Sequence, residues 1–438
     1  MRVLVTGAYG LIGSACLARL KRDGHALVGA GRNILEAQRR LAFARWIEAD
    51  FQKLASVEAW RPLLADVDAV VNCVGVLQDS ARDDTHRVHV TATCALFDAC
   101  ARMKIRRVIH ISAIGVDEAG PTDFARTKAE ADRHLENLDL DWVILRPGLV
   151  LGPAVYGGTA LLRGLAAFPG MVPLIEAEAR IQVVAIDDLA DTVALCVAQI
   201  APAKVKWDVA HPRVHTLAEI VVAYRQWLGL PPRRVVRVPR PVGTSIAYLA
   251  DQLGRLGWRS PARSTSLAQL SAGAVGDPAS WLKATGARPA ALTDILARPA
   301  SVQDRWFARA YLLKPLAIGG LAIYSIAIGL VTAKMFSGSM RWLRALIDEA
   351  GFATVVTTAL VAVGAIIDIL LGLAVLVRAT ARLALIGMLL VTIGAMAFNM
   401  VMLGRYAPQP WLQIFETLAV AIPMMLATAF ALAVLDER

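Results

Sequence analysis

Four long apolar stretches close this chain, and they limit what it can fold into more than any other feature. The first, residues 315–333, has no charge and is followed by Lys334. The second, 352–377, is broken only by Asp368, and the third, 383–404, has no charged residue. The fourth, 411–435, carries Glu416 near its start. Each reaches the roughly 20 residues that cross a hydrocarbon core at about 1.5 Å of rise per residue. A soluble helix of that length would show a polar stripe, and these show none. The pattern predicts an all-α bundle of four transmembrane helices over residues 311–438. A mean hydropathy of +0.52 and an apolar fraction of 56% agree.

Lysine and arginine set the expected orientation. With residue 314 inside, the cytoplasmic flanks hold Arg305, Arg309, Lys314, Arg378, Arg382 and Arg438. The far side then holds Lys334, Arg341, Arg344 and Arg405. The N-terminus runs directly into a strand and a glycine turn with no apolar leader, so the N-terminal region is expected in the cytoplasm and the chain in the cytoplasmic membrane. Residues 340–350 read as a short interfacial helix. The net charge of +10 is unevenly placed: Lys plus Arg against Asp plus Glu is 22 to 24 over residues 1–203, 17 to 6 over 204–314, and 7 to 6 over 315–438. No helix-turn-helix, finger or aromatic RNA-binding pattern accompanies the basic stretch, so no nucleic-acid partner is expected. Anionic membrane lipid is the expected partner, at about 1 kcal/mol per nearby basic side chain; the other reading is ordinary solvated arginines.

Asp368 and Glu416 are the acids inside the apolar stretches. Such groups read either as a proton-linked or partner-binding site, or as helix–helix hydrogen bonding with Asn399 as a third member. The stretch GAIIDILLG and the run FETLAVAIP resemble the DoxX-like family of four-helix membrane proteins over about residues 311–435. That resemblance implies a bundle often linked to redox proteins, hence a membrane redox partner, without a defined reaction. The five cysteines (Cys16, Cys73, Cys94, Cys100, Cys196) form no C-x-x-C and the histidines are scattered, so reduced thiols and no metal site are expected.

At the other end, residues 2–13 read RVLVTGAYGLIG: an apolar run, a glycine turn and a helix start. Gly7 allows the tight turn, Gly10 lets backbone approach a pyrophosphate, and Gly13 lets helix pack on strand. Tyr9, Leu11 and Ile12 complete the turn, and the helix N-terminus offers its N–H groups to phosphate. Further strands are expected at 25–32, 45–51, 68–75, in RRVIHISAIG and in DWVILRPG. Strands alternating with helices predict an α/β Rossmann-type doubly wound parallel sheet. The expected domains are 1–202 for the nucleotide fold, 203–310 for a small lobe with the basic juxtamembrane region, and 311–438 for the bundle.

Residues 1–300 resemble the short-chain dehydrogenase/reductase superfamily in its extended or atypical, epimerase/dehydratase-like branch. TGAYGLIG, Asp50 with Phe51, NCVG, Ser112, FARTK and RPG carry the resemblance. It implies Asp50 and Phe51 near the adenine, Val74 and Gly75 near the dinucleotide, and Lys128 on the nicotinamide ribose. Residues 203–300 would cover substrate, with LGWRSPARST (256–265) the most distinctive stretch. Where many members have asparagine in the helix after the fourth strand this chain has His89, which weakens a proton relay there. An acid at the end of the second strand would hold the ribose hydroxyls of NAD; Arg32 stands there instead and suits a 2′-phosphate, so NADPH is expected over NADH.

The same resemblance places a catalytic tyrosine four residues before Lys128, and that position is Phe124. Phenylalanine keeps the ring and has no proton to transfer. Ser112 fits the first of the usual serine pair, and Ala113 leaves the second place empty. Tyr9 and Tyr156 have the wrong spacing to Lys128. Two functions stay open. One is a membrane-tethered reductase or epimerase-like enzyme acting on a lipid-like or quinone-like molecule. The other is a non-catalytic nucleotide-binding structural or sensing subunit, as in the NADPH-binding accessory subunit of respiratory complex I, which this domain also resembles.

Overall fold

The computed structural model describes residues 1–336, 354–406 and 410–435. The chain divides into two compact units: Met1–Gln252 with Ser260–Ala308, and Leu253–Arg259 with Arg309–Arg438.

The first unit is built on a parallel sheet. Its strands are β1 (Arg2–Thr6), β2 (Ala26–Gly31), β3 (Arg45–Glu48), β4 (Ala69–Asn72), β5 (Arg107–Ile111), β6 (Asp141–Pro147) and the strand Val205–Val209. They lie in the order Val205–Val209, β6, β5, β4, β1, β2, β3, each pair parallel. Helices cover both faces, which is why the central strands are continuous apolar runs: Val3, Leu4, Val5, Val70, Val71, Val143, Ile144 and Leu145 are fully buried. The strand order reverses between β1 and β4, and the crevice outside their carboxyl ends is where such sheets take ligands. The strands expected over 45–51 and 68–75 end early, at Glu48 and Asn72. Residues 73–75 and 112–114 leave the ladder there and bring backbone to the crevice. A smaller core, with Val172, Leu174, Leu217, Ile220, Val221 and Tyr224 at its centre, lies under the strands Arg180–Ala185 and Val214–Thr216.

The second unit contains the helices Leu313–Phe336, Thr354–Leu376, Ala381–Tyr406 and Pro410–Val434. Among the described residues, three stretches are long and apolar enough to cross a membrane: Val302–Lys334, Ala381–Val401 and Ile414–Val434. The expected second span, 352–377, begins outside the described residues; within them its apolar part is Ala362–Leu376. The interfacial helix expected at 340–350 also lies outside them. Asp368 is half-buried and Glu416 exposed. The stretch 256–265 is divided between the units. In the second, the Trp258 indole donates to the Leu376 carbonyl (2.6 Å) and the Arg378 guanidinium lies 5.7 Å from its ring. In the first, Arg263 bonds Asp251 (2.8 Å) and the Asp79 carbonyl (2.6 Å).

Candidate active site

The site starts at the turn between β1 and the helix Leu11–Arg22. Gly7 holds φ +62°, a conformation that L side chains rarely adopt, and a Cβ there would lie 3.0 Å from the Cys73 carbonyl oxygen. A Cβ on Gly13 would overlap the Gly7 carbonyl and approach Ala8 Cα at 2.9 Å. Gly10 closes the turn by donating to the Gly7 carbonyl (2.9 Å) and caps the helix without a side chain. The first-turn N–H groups at Leu11, Ile12 and Gly13 therefore have no side-chain cap and can serve an anion. This cradle, which any side chain would fill, fits the pyrophosphate of a dinucleotide.

Around it the structure gathers some of the expected residues and withdraws others. Val74 and Gly75 follow β4 into the crevice, and a Cβ on Gly75 would sit 3.5 Å from Lys128 Nζ and 3.6 Å from His89 Nε2. The Tyr9 ring covers Gly31 at the end of β2, where a Cβ would meet its Cδ1 at 2.8 Å. Arg32 is next, and its guanidinium is paired at 2.6 Å with the buried carboxylate of Asp83. Asp50 is half-buried and accepts from the Gln52 N–H (3.1 Å). Phe51 is buried in the core, edge-on to Trp60 at 5.1 Å between ring centroids.

Lys128 lies on the helix Asp123–Glu136, whose start is capped by the Thr122 hydroxyl accepting from the Ala125 N–H. It is 4% exposed, and its ammonium donates to the Ile111 carbonyl (2.7 Å) and the Val74 carbonyl (3.4 Å). An ammonium has three donors, so one is left for a ligand. Phe124, one turn earlier, packs edge-on against His89 at 5.7 Å between centroids. His89 sits in the π-helical turn Arg87–Ala92. Its Nε2 accepts from the Val76 N–H (3.0 Å), which leaves the proton on Nδ1, 2.9 Å from the Thr127 hydroxyl. Burial, then the charge of Lys128, hold this imidazole well below its ordinary pKa. It is neutral and braces backbone.

Sequence reasoning missed a buried polar row beneath the crevice. Register places Thr6 beside Asn72 and Asn72 beside His110 across β1, β4 and β5. The Thr6 hydroxyl and the Asn72 amide oxygen are 2.6 Å apart, and the Asn72 amide nitrogen and His110 Nδ1 are 3.1 Å apart. His110 Nε2 then faces Asp132 Oδ1 at 3.4 Å, and the Ser112 hydroxyl donates to Asp132 Oδ2 at 2.8 Å. Ser112 is thus turned inward, onto a buried carboxylate. The available signal was polar residues, Asn72 and His110, inside strands that should be wholly apolar.

Burial dominates the titration of this cluster. It raises Asp132 to about 6, against the Ser112 hydrogen bond and the Lys128 charge. It lowers Lys128 to about 8, against the Asp132 charge. The folded Lys128 therefore gives up its proton before an unfolded lysine does. Its contribution makes stability rise with pH from about 8 to 10.5. Asp132 works in the opposite sense: its stabilising contribution, present below 3.8, is lost as pH rises through about 6. Dinucleotide affinity should fall as pH rises through about 8, when the ammonium is lost. Fluorescence titration should show that decline in the parent, and weaker, pH-independent binding in Lys128→Met. A flat profile in the parent would exclude Lys128 from the binding charge.

Residues 7–171 match the family model described as NAD(P)H-binding. The chain is 31% identical over 182 residues to UDP-glucose 4-epimerase of Mycolicibacterium smegmatis, spanning 35% of this chain and 57% of that protein. It is 26% identical over 153 residues to the NADH-ubiquinone oxidoreductase 40 kDa subunit of Neurospora crassa, spanning 34% and 40%. Against ceramide reductase of Caulobacter vibrioides the identity is 24% over 252 residues, spanning 57% and 77%. The first curated relatives, uncharacterized mycobacterial proteins, are 26% identical over 188 residues, and the match spans only 19% of their length. Among solved structures, UDP-glucose 4-epimerase from Thermotoga maritima shares the fold with a TM-score of 0.53 at 16% identity, over 71% of this chain and 100% of that chain. The N-terminal region thus has a Rossmann-type fold, matches an NAD(P)H-binding model and is similar in sequence to an epimerase. The DoxX-like resemblance of the C-terminal helices has no counterpart among these matches.

Proposed function

We propose that the protein is a membrane-anchored NAD(P)(H)-dependent oxidoreductase or epimerase-type enzyme for a lipid-like or quinone-like substrate. One observation carries the reading: a single chain holds both a glycine cradle with a buried lysine and three helices long and apolar enough to cross a bilayer. The match to a protein named ceramide reductase supports a lipid-like substrate. When bound, the dinucleotide supplies or accepts hydride. The chain's part is to hold pyrophosphate on the turn at Gly7, Gly10 and Gly13, and ribose hydroxyls on Lys128. Position 124 supplies no proton, so substrate protonation falls to solvent or to another side chain. The reading includes multi-pass insertion in the cytoplasmic membrane with the Rossmann domain in the cytoplasm.

The packing of Phe124 on His89 favours a second reading, a non-catalytic nucleotide-binding structural or sensing subunit of a membrane redox complex. The N. crassa subunit match points the same way. NADPH oxidation by the purified protein, assayed on membrane lipid extracts and on quinones, separates the two. Turnover on any fraction supports the enzyme; stoichiometric binding without turnover on all of them supports the subunit.

For the cofactor we infer a preference for NADPH from Arg32. Asp83 takes one edge of the guanidinium, and the remaining donors suit a 2′-phosphate. NADPH should bind roughly tenfold tighter than NADH, the worth of one charge-assisted hydrogen bond. Arg32→Asp should reverse the order, and Asp83→Asn should widen it. Equal affinities in the parent would sink the preference.

A further inference from the structure

The helix Arg240–Arg255 is turned the wrong way round for a soluble protein. Its small residues face inward: Ala247 is 2% and Ala250 7% exposed, Gly243 and Gly254 are buried, and a Cβ on Gly243 would meet Ile175 at 2.9 Å. Its large apolar residues face outward at helical spacing: Val242 (50% exposed), Ile246 (45%), Leu249 (62%) and Leu253 (42%). Steps of four, three and four residues put the four aliphatic side chains on one face. Single exposed apolar residues need no explanation, but a continuous stripe along a 16-residue helix does.

The charge around the stripe says what covers it. Residues 233–263 contain seven arginines and one acid, Asp251. Arg233 and Arg234 are exposed; Arg237 and Arg240 are paired with Glu178 (2.6 Å) and Glu176 (2.9 Å). With those two partners counted, the surroundings stay net positive. Two copies of such a surface would repel, whereas an anionic bilayer complements both the apolar stripe and its basic rim.

We propose that the helix Arg240–Arg255 lies in the plane of an anionic membrane surface, with Val242, Ile246, Leu249 and Leu253 inserted among the acyl chains. The proposal rests on the membrane-anchored reading of the chain. It would give the chain a contact with the bilayer besides its long apolar helices. A lipid-like substrate would then be met at the membrane surface.

The test uses the full-length protein in vesicles of phosphatidylglycerol and phosphatidylcholine. A bimane fluorophore on Leu249→Cys, read against the labelled parent, should lose intensity when brominated lipid is present. The effect should weaken in phosphatidylcholine alone. The pair Ile246→Glu and Pro241→Gly, combined with the label, should abolish the quenching while dinucleotide binding persists. Carbonate extraction separates the two ideas. Protein that resists extraction with an unquenched label overturns the helix proposal and leaves the anchoring intact. Protein that is extracted with an unquenched label overturns both. Quenching supports the proposal whichever way extraction goes. An unquenched label whose environment changes only with protein concentration would assign the face to a second copy instead.

Discussion

Phe124→Tyr should raise NADPH-dependent reduction of a ketone or quinone by roughly 10²–10⁴-fold, the usual worth of a positioned general acid. Residues 124 and 128 are one turn apart on the same helix face, so a hydroxyl at 124 would lie beside the buried ammonium. Lys128 keeps one donor free of its two carbonyl partners, and its charge would lower a tyrosine from about 10 toward neutrality. His89, edge-on to the ring and already committed through both nitrogens, leaves position 124 as the natural acid. Cofactor affinity should not change, because the glycine turn and Lys128 need no hydroxyl at 124. Strong turnover by the parent, untouched by the substitution, would show that the proton comes from elsewhere. Tyr156, 48% exposed beyond β6, would then be the next residue to replace.

The second large effect is expected at Asp132. Its carboxylate, 3% exposed, is the only acid among the described residues shown to bond Ser112 and face His110. Asp132→Ala would strand the Ser112 hydroxyl in the core and remove the counter-charge of Lys128. Breaking a buried charged cluster from one side costs about 3–5 kcal/mol. The melting temperature should drop by about 6 °C or more, read by scanning calorimetry or near-ultraviolet circular dichroism. Lys128 would also lose its proton at a lower pH, so dinucleotide affinity near pH 7 should weaken with it. Asp132→Asn keeps an acceptor for Ser112 and should lose less stability. A melting temperature unchanged in the alanine variant would mean that the cluster is not a stabilising unit.

Local pattern made much of this protein legible. The turn at Gly7, Gly10 and Gly13 is a matter of which residue can take a left-handed φ or a close backbone approach, and spacing alone reports it. The parallel sheet followed from apolar runs between helical stretches, and the long C-terminal helices, three of them among the described residues apolar enough to cross a membrane, from uninterrupted apolar length. Lys128 and Phe124 were readable as a pair because a helix fixes the relation of residues four apart.

What the sequence could not fix were relations between distant positions. The Phe51 ring packs edge-on to Trp60, a partner that no local pattern names. Ser112 looked like a catalytic hydroxyl until the packing of the helix Asp123–Glu136 set Asp132 beneath it, 20 residues away in sequence. Arg32 met Asp83 across 51 residues. The row from Thr6 through Asn72 to His110 exists only because β1, β4 and β5 are neighbours in matching register. Composition and periodicity determine which residues are buried and in what element. Only the order and register of the strands decide which buried polar groups meet, because a hydrogen bond depends on angstroms between residues that the chain keeps far apart.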